Sequence, residues 1–492
     1  MPNQVVPITG FDQVGVILDS PPVSLPPNAL SDVRNVRFKD GAVRKMEGEV
    51  NLFPNLFDAD GVSYNGDILK YVVWWPNPNI IDDNRGYYLI IVEQDYTDTD
   101  MVNHGQRDVA YLLSPGSTAR HFLGHFQRDE LANWQHTFFQ GGFAMVINNG
   151  LDEPHYIIDS DGNTDITRIN PFEPLPGWES YEINQTVISD TFSAGNTGVF
   201  TIGNPVDFDN FRVMVTIAGA DPIMVTGVGT FDSVTYSVVN NLATLTFDTL
   251  PNVGDLVTIR IESRMPVSVR AGVIRAFGDF LVAGDLFEFT TDDMTNERTI
   301  LRNLAGIVRT SDVAAPGEIP TNWNPFAAGV STADEFVLTA SGVVQEMVEL
   351  QGSLYIYSNS SISIMRQTGN AQVPLSVTPV TESYGAQTTE AVIEFDGKHF
   401  VIGSQDMYLF GGHPGSIQSV ADTRVRRYFF DNLNPLHNQR MFAIRYAQRD
   451  EIWECFPSTS SVRGECNQAL IWNYRQNNWT CLLYTSPSPR DS

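Results

Sequence analysis

Short apolar runs, each bounded by glycine and separated by polar turns, organise this chain. The clearest lies between Gly397 and Gly412. His399–Ile402 is almost wholly apolar, as in a strand covered on both faces. Gly403-Ser404-Gln405-Asp406 supplies a turn, and Met407–Phe410 forms a second strand that stops at Gly411-Gly412. A lone hairpin buries too little surface to be stable, so copies or partners are required. The same order of glycine, bulky apolar strand and turn recurs at Gly86–Val92, Gly142–Ile147, Gly278–Gly284 and Gly352–Tyr357, with looser versions at Glu451–Phe456 and Ala469–Trp472. The spacing is mostly about 45 to 75 residues, near the period of a four-stranded propeller blade. The interval from Gly142 to Gly278 is about twice that, which predicts an insertion. The expected fold is all-β: a β-propeller-like platform of about five to seven blades, an inserted β-sandwich domain and an extended N-terminal arm.

The pattern divides the chain in order. Residues 1–50 read as the arm. Pro21-Pro22 and Pro26-Pro27 deny it strand hydrogen bonds, and Val36, Phe38 and Val43 around Asp40-Gly41 signal a hairpin. Residues 51–185 carry strands at Ile68–Trp75, Tyr87–Glu93, Asp108–Leu113, Trp134–Phe139 and Phe143–Asn148. Residues 186–264 change texture, becoming rich in Val, Thr, Asn and Gly. Arg212–Ile217, Val234–Val239, Ala243–Phe247 and Leu256–Ile261 alternate with period two, as one-face-buried strands of a compact sandwich do. Residues 265–482 resume the first texture. Ile307–Asp312 reads as a strand, the stretches Glu346–Tyr357 and Ile362–Arg366 as a hairpin, and Asp422–Asn434 as a short helix. Residues 483–492 end a strand abruptly with a Pro-Ser tail that is similar to translated adapter sequence, and no structure is expected there.

Charge narrows the function. The 492 residues carry 30 basic and 58 acidic groups, a formal net charge of −28. A protein that grips nucleic acid concentrates cations against phosphates, and no such stripe is visible. The acidity reads either as solubility or as a surface that repels DNA passing nearby. Two basic clusters stand out. Arg34, Arg37, Lys39, Arg44 and Lys45 surround the N-terminal hairpin, either as a solvated face or as a dock for an acidic neighbouring subunit. Arg424, Arg426, Arg427, Tyr428 and Phe429 form a second patch, basic and aromatic, of the kind found between subunits. Cys455 and Cys466 could bridge a hairpin, but three cysteines without a signal sequence favour reduced thiols. Met1–Gly10 lacks a signal peptide and no apolar run is long enough to span a bilayer, so a soluble protein made in the cytoplasm is expected.

Catalytic signatures are missing. There is no nucleophile elbow, phosphate-binding glycine loop or His-Glu-x-x-His helix. Asp159-Ser-Asp-Gly-Asn-Thr-Asp165 alternates oxygens like a calcium loop, but its glycine comes too early and no glutamate closes it, so it reads as a turn. His121 and His125 would share a metal only on a helix, and Gly124 argues against one. Neither an enzyme nor a cofactor is expected.

The order Leu30–Gly48, Val348–Tyr357, Tyr384-Gly-Ala386, His399–Gly403, Asp406–Phe410 and Val425–Phe430 resembles the tail nozzle proteins of short-tailed bacteriophages, the tail tubular protein B type. The resemblance covers most of the chain through loose patterns. It implies a virion component assembled in the host cytoplasm: a homohexameric ring below the portal and adaptor, with tail fibres or a needle at its side or tip. DNA would pass through the channel without tight binding. Two alternatives stay open, a propeller glycosidase and a receptor-binding tail protein, each acting on host-surface glycans.

Overall fold

Apolar runs bounded by turn residues leave the backbone little choice but antiparallel meanders, because each strand must pair its amides with a neighbour close in sequence. A computed structural model of the chain is mostly β-structure. It describes residues 11–39, 42–46, 56, 66–76, 86–97, 103–115, 117–128, 133–158, 166–178, 181–193, 199–203, 211–218, 223–225, 228–231, 234–239, 242–247, 252, 255–291, 298–324, 331–339, 342–462 and 464–483. Chain contacts divide it into two units, one of residues 1–178, 270–287 and 303–492, the other of 179–269 and 288–302.

Among the described residues, the larger unit holds six sheets that each contain a run of four strands consecutive in sequence, the first being its lead strand, together with the two-stranded hairpin Val36–Lys39/Ala42–Lys45. The first comprises Ile68–Pro76, Gly86–Thr97, Asn103–Leu113 and His121–Gln127; the second Gln135–Phe139, Ala144–Asn148, His155–Ile158 and Glu173–Pro174. The third uses the end of Leu256–Phe277, then Phe280–Thr291, Arg298–Thr310 and Asp334–Val337. The fourth comprises Val344–Leu350, Ser353–Ser358, Ile362–Gln367 and Leu375–Thr381. The fifth holds Val392–Phe395, Lys398–Ile402, Met407–Phe410 and Gln418–Ser419. The sixth holds Phe442–Tyr446, Glu451–Phe456, Gln468–Asn473 and Asn478–Leu483. Lead strands lie side by side, the fourth beside the fifth and the fifth beside the sixth. Apolar cores fill the spaces between sheets. One joins the first and second around Trp75, Leu112 and Met145, another the third and fourth around Val282 and Ile356, and the largest the fourth, fifth and sixth around Tyr357, Phe400 and Trp472.

The smaller unit has two sheets. One orders Ile223–Val225, Phe211–Ile217, the first part of Leu256–Phe277 and Tyr181–Ser193; the other Val199–Gly203, Leu242–Phe247, Val234–Val239 and Gly229–Phe231. Val213, Val215, Tyr236, Leu245 and Ile259, drawn from both, form one apolar cluster, as the period-two alternation requires.

Three departures from the sequence reading have physical causes. The stretch Glu346–Tyr357 is two strands, because Gln351 and Gly352 both adopt positive φ, 53° and 75°, and turn the chain. His121–Gln127 is a strand that the sequence pattern hid, since histidines and Gly124 interrupt its apolar run. The described part of the N-terminal arm is not extended away from the body. Gly15–Val16 and Ala29–Leu30 add to the sixth sheet in parallel, with Gly15 opposite Trp479. The hairpin Val36–Lys39/Ala42–Lys45 does form. Asp422–Asn434 contains the helix Arg426–Asn432, whose first amides are bonded by Asp19, to Arg427 N at 2.9 Å and Tyr428 N at 2.8 Å. Residues 159–165 and 484–492 lie outside the described residues, as do Asp40 and Gly41. Cys455 and Cys481 are buried thiols and Cys466 a half-buried one. Among the described residues, no helix is long and apolar enough to cross a membrane.

Candidate functional site

Polar contacts link residues on or beside the lead strands of all six sheets in one place. Arg275, from the third sheet, pairs with Glu346 of the fourth at 2.8 Å and donates to Gln135 Oε1 of the second at 2.8 Å. Gln135 Nε2 in turn donates to the Gly272 carbonyl. Glu346 also accepts from two backbone amides, Met347 N at 2.7 Å and Glu390 N at 2.6 Å, the latter just ahead of the fifth lead strand. The Glu390 carbonyl accepts from Ala443 N of the sixth at 2.9 Å. From the first sheet, the Tyr71 hydroxyl lies 2.7 Å from His136 Nδ1 and 3.4 Å from Glu390 Oε1. A second tyrosine–histidine pair ties the fourth and fifth sheets. Tyr357 donates to His399 Nδ1 at 2.6 Å, because Nε2 carries the proton it gives to the Glu349 carbonyl.

Enclosure sets the protonation of this hub. Burial pushes Glu390 up to about 7; Glu346 adds to the rise and Arg275 opposes it. Burial, then Arg275, lowers His136 to about 4, so it is neutral near pH 7. Burial alone would lower Arg275, but Glu346 and Glu390 outweigh it and hold the guanidinium above its ordinary value. Burial and the Glu390 charge raise the Tyr71 phenol well above its usual range. The hub therefore carries one firm ion pair, Arg275–Glu346, and one carboxyl that changes charge near neutrality. Since the folded chain holds the Glu390 proton more tightly than the unfolded chain, its contribution to stability is full below about pH 4.5 and is lost as pH rises through about 7. Glu390→Gln should match the parent at pH 5 and be more stable at pH 8, by no more than roughly 3 kcal/mol. Denaturant melts at both pH values check this; a gain at pH 5 that vanishes at pH 8 would contradict it.

Beside the hub lies a cavity of about 220 Å³. Asn133 before the second sheet, Arg270, Asp285 and Phe287 of the third, Thr389 before the fifth and Gln439 before the sixth contribute to its wall. The Arg270 guanidinium lies 4.3 Å over the Phe287 ring. Burial pushes the Asp285 carboxyl up to about 6, against the opposing charge of Arg270. Among the described residues, no group of three or more His, Cys, Asp and Glu is placed to hold a metal ion. His121 and His125 sit on a strand. His121 Nε2 lies 2.8 Å from the Ile169 carbonyl, and the His125 ring stacks on Tyr96 at 4.5 Å.

The residues singled out in the sequence gather instead on elements that pack on the sixth sheet. Arg37 turns inward to Glu451 at 2.8 Å and lies over the Trp453 ring, so it is committed within its own chain. Phe429 is fully buried in the core, against Phe456, which removes it from any surface patch. Tyr428 donates to Gln468 Oε1, and Arg424 to the Asn477 carbonyl. Arg34, Arg426 and Arg427 remain exposed in ion pairs with Asp32, Asp422 and Asp431, and Arg44 and Lys45 are exposed on the hairpin, which also contains Lys39. The hub residues were not singled out from the sequence. The available signal was a charge inside an apolar strand, Arg275 within Val273–Phe277 and Glu346 within Val344–Leu350.

No family model matches the sequence, and no curated protein matches it. Among solved structures, apo AztD from Citrobacter koseri is similar at a TM-score of 0.32 and 11% identity, over 82% of this chain and 84% of that one. A likeness at that level does not bear on function.

Proposed function

We propose that this chain is a structural subunit of a short-tailed phage tail, the nozzle ring through which DNA leaves below the portal and adaptor. In this reading the six meander sheets of the larger unit are the blades of a propeller-like platform, and the smaller unit is an inserted sandwich domain. The observation that carries it is the Arg275–Glu346–Glu390 hub. Its charges are spent on one another and on the backbone amides of successive lead strands, a locking role rather than a reactive one. The resemblance of the Leu30–Gly48 and Val425–Phe430 segments to nozzle proteins adds the ring and its partners.

A closed ring needs two unlike faces on each subunit, one docking into the next. The exposed cations Arg34, Arg44, Lys45, Arg426 and Arg427 supply one such face around the sixth sheet, on a chain of net charge −28. An acidic bore would let duplex DNA slide without adhering. Native mass spectrometry should find six copies. Reversing Arg44, Lys45, Arg426 and Arg427 to glutamate should release monomers that melt where the parent does. A stable trimer, release of sugar from host glycans, or tight salt-sensitive binding of duplex DNA would each overturn the proposal.

A further inference from the structure

Two β-bulges gather four rings on one face of the first sheet. Along Asn103–Leu113, regular alternation would send His104 to the face opposite Tyr96, because Gly105 is the residue that pairs with Tyr96. The register shifts there instead. Thr97 pairs with Asn103, His104 is the extra residue, and Gly105 takes up the distortion at φ 70°. The His104 ring is thereby stacked beside Tyr96, with ring centres 5.8 Å apart. In His121–Gln127 the extra residue is Leu123, between Gly124 opposite Ala110 and Phe122 opposite Tyr111. Phe122 and His125 would point to opposite faces of a regular strand, yet both stack on Tyr96, at 5.6 and 4.5 Å. The two imidazoles are brought together as a result. The His104 and His125 ring centres lie 5.2 Å apart, with their planes at 34°.

The geometry points to a two-imidazole site for a divalent transition-metal ion, zinc, nickel or copper, held by His104 and His125. Two imidazoles that share one tetrahedral ion each place a nitrogen about 2.0–2.1 Å from it, which sets their ring centres about 5 Å apart. The separation of this pair matches that value. Each ring gives the ion one nitrogen, and the other nitrogen can donate elsewhere, as it ordinarily does in ligating histidines. Stacking on Tyr96 holds both rings before an ion arrives, so little side-chain freedom is lost on binding. His125 is exposed and His104 half-buried, which leaves the ion reachable from solvent. Water completes the coordination, since among the described residues no third His, Cys, Asp or Glu joins the pair. Imidazole selects these ions over calcium and magnesium, which prefer oxygen. Packing alone would be served as well by phenyl rings, so the choice of imidazole at both re-aimed positions needs a chemical reason. The inference concerns a single chain and does not depend on ring assembly.

Electron paramagnetic resonance of the full, tag-free chain with one equivalent of cupric ion tests it. The parent should show one saturable site coupled to two nitrogens, from which zinc displaces the copper and calcium or magnesium does not. His104→Phe and His125→Phe keep the ring stack and remove the donors. Each should weaken binding by at least about tenfold and abolish the two-nitrogen coupling, while His413→Ala, exposed in the fifth sheet, should change neither. Circular dichroism melts establish that each variant is folded. On the parent itself, zinc should protect both histidines from modification by diethyl pyrocarbonate, a readout that needs no variant. Copper bound without nitrogen coupling, equal affinity in the parent and both phenylalanine variants, displacement by calcium, or no protection by zinc would each overturn the proposal.

Discussion

Arg275→Ala should lower the stability of the larger unit by about 3–5 kcal/mol, the range for removing one partner of a buried ion pair. The cause is what stays behind. Glu346, 1% exposed, would be left buried with only the amides of Met347 and Glu390 to bond it. Gln135 would lose one of its two donors from the third sheet and keep the Ile274 amide. Glu390 would lose the one cation that restrains its pKa, so its proton would be held to still higher pH. The loss should therefore be larger at pH 8 than at pH 5, because at the lower pH Glu390 is already neutral. Pairing Arg275→Met with Glu346→Gln should restore much of the stability, since the uncompensated charge is gone while the amide oxygen can still accept from Glu390 N. Calorimetry separates this from general damage. The transition of the larger unit should move and that of the smaller unit should not. A loss of under about 1 kcal/mol at both pH values would mean the pair is no more than a surface bridge.

Glu454→Met should have the opposite sign. Glu454 lies on the second strand of the sixth sheet, fully buried, and neither of its carboxylate oxygens has a partner within the protein. Ile452 and Phe456, two positions away on the same face, belong to the large apolar core. Burial pushes its pKa well above the ordinary carboxylate range, so the folded chain keeps the proton that the unfolded chain gives up. Stability tied to this group is complete below about pH 4.5 and lost as pH rises towards its folded value. A methionine of similar shape removes the orphaned oxygens and should stabilise the fold by about 2–4 kcal/mol near pH 8, and by less near pH 4. Urea unfolding at the two pH values measures this. Destabilisation by methionine at pH 8 would show that the carboxyl has a partner in solution.

Much of the strand map was legible before any tertiary structure. Met407–Phe410 and Val234–Val239 form strands with the expected ends, because apolar alternation and flanking turn residues act over a few positions. Where a turn falls inside an apolar run, as at Gln351-Gly352, or polar residues break one, as in His121–Gln127, the local signal misled. The surface patches fared unevenly for the same reason. Arg426 and Arg427 are exposed, but neighbouring Phe429 is core, a distinction set by which face of a short helix meets the fifth and sixth sheets.

By itself, the sequence determined the strand-rich character, the change of texture between residues 186 and 264, the acidity and the lack of a catalytic signature. These follow from composition and from interactions between near neighbours. Only the tertiary structure decided that the N-terminal segment joins the last sheet, and that Tyr71 meets Glu390 across 319 positions beside Arg275 and Glu346. A side chain's partners at that separation depend on how whole sheets pack, and neither propensity nor periodicity carries that information.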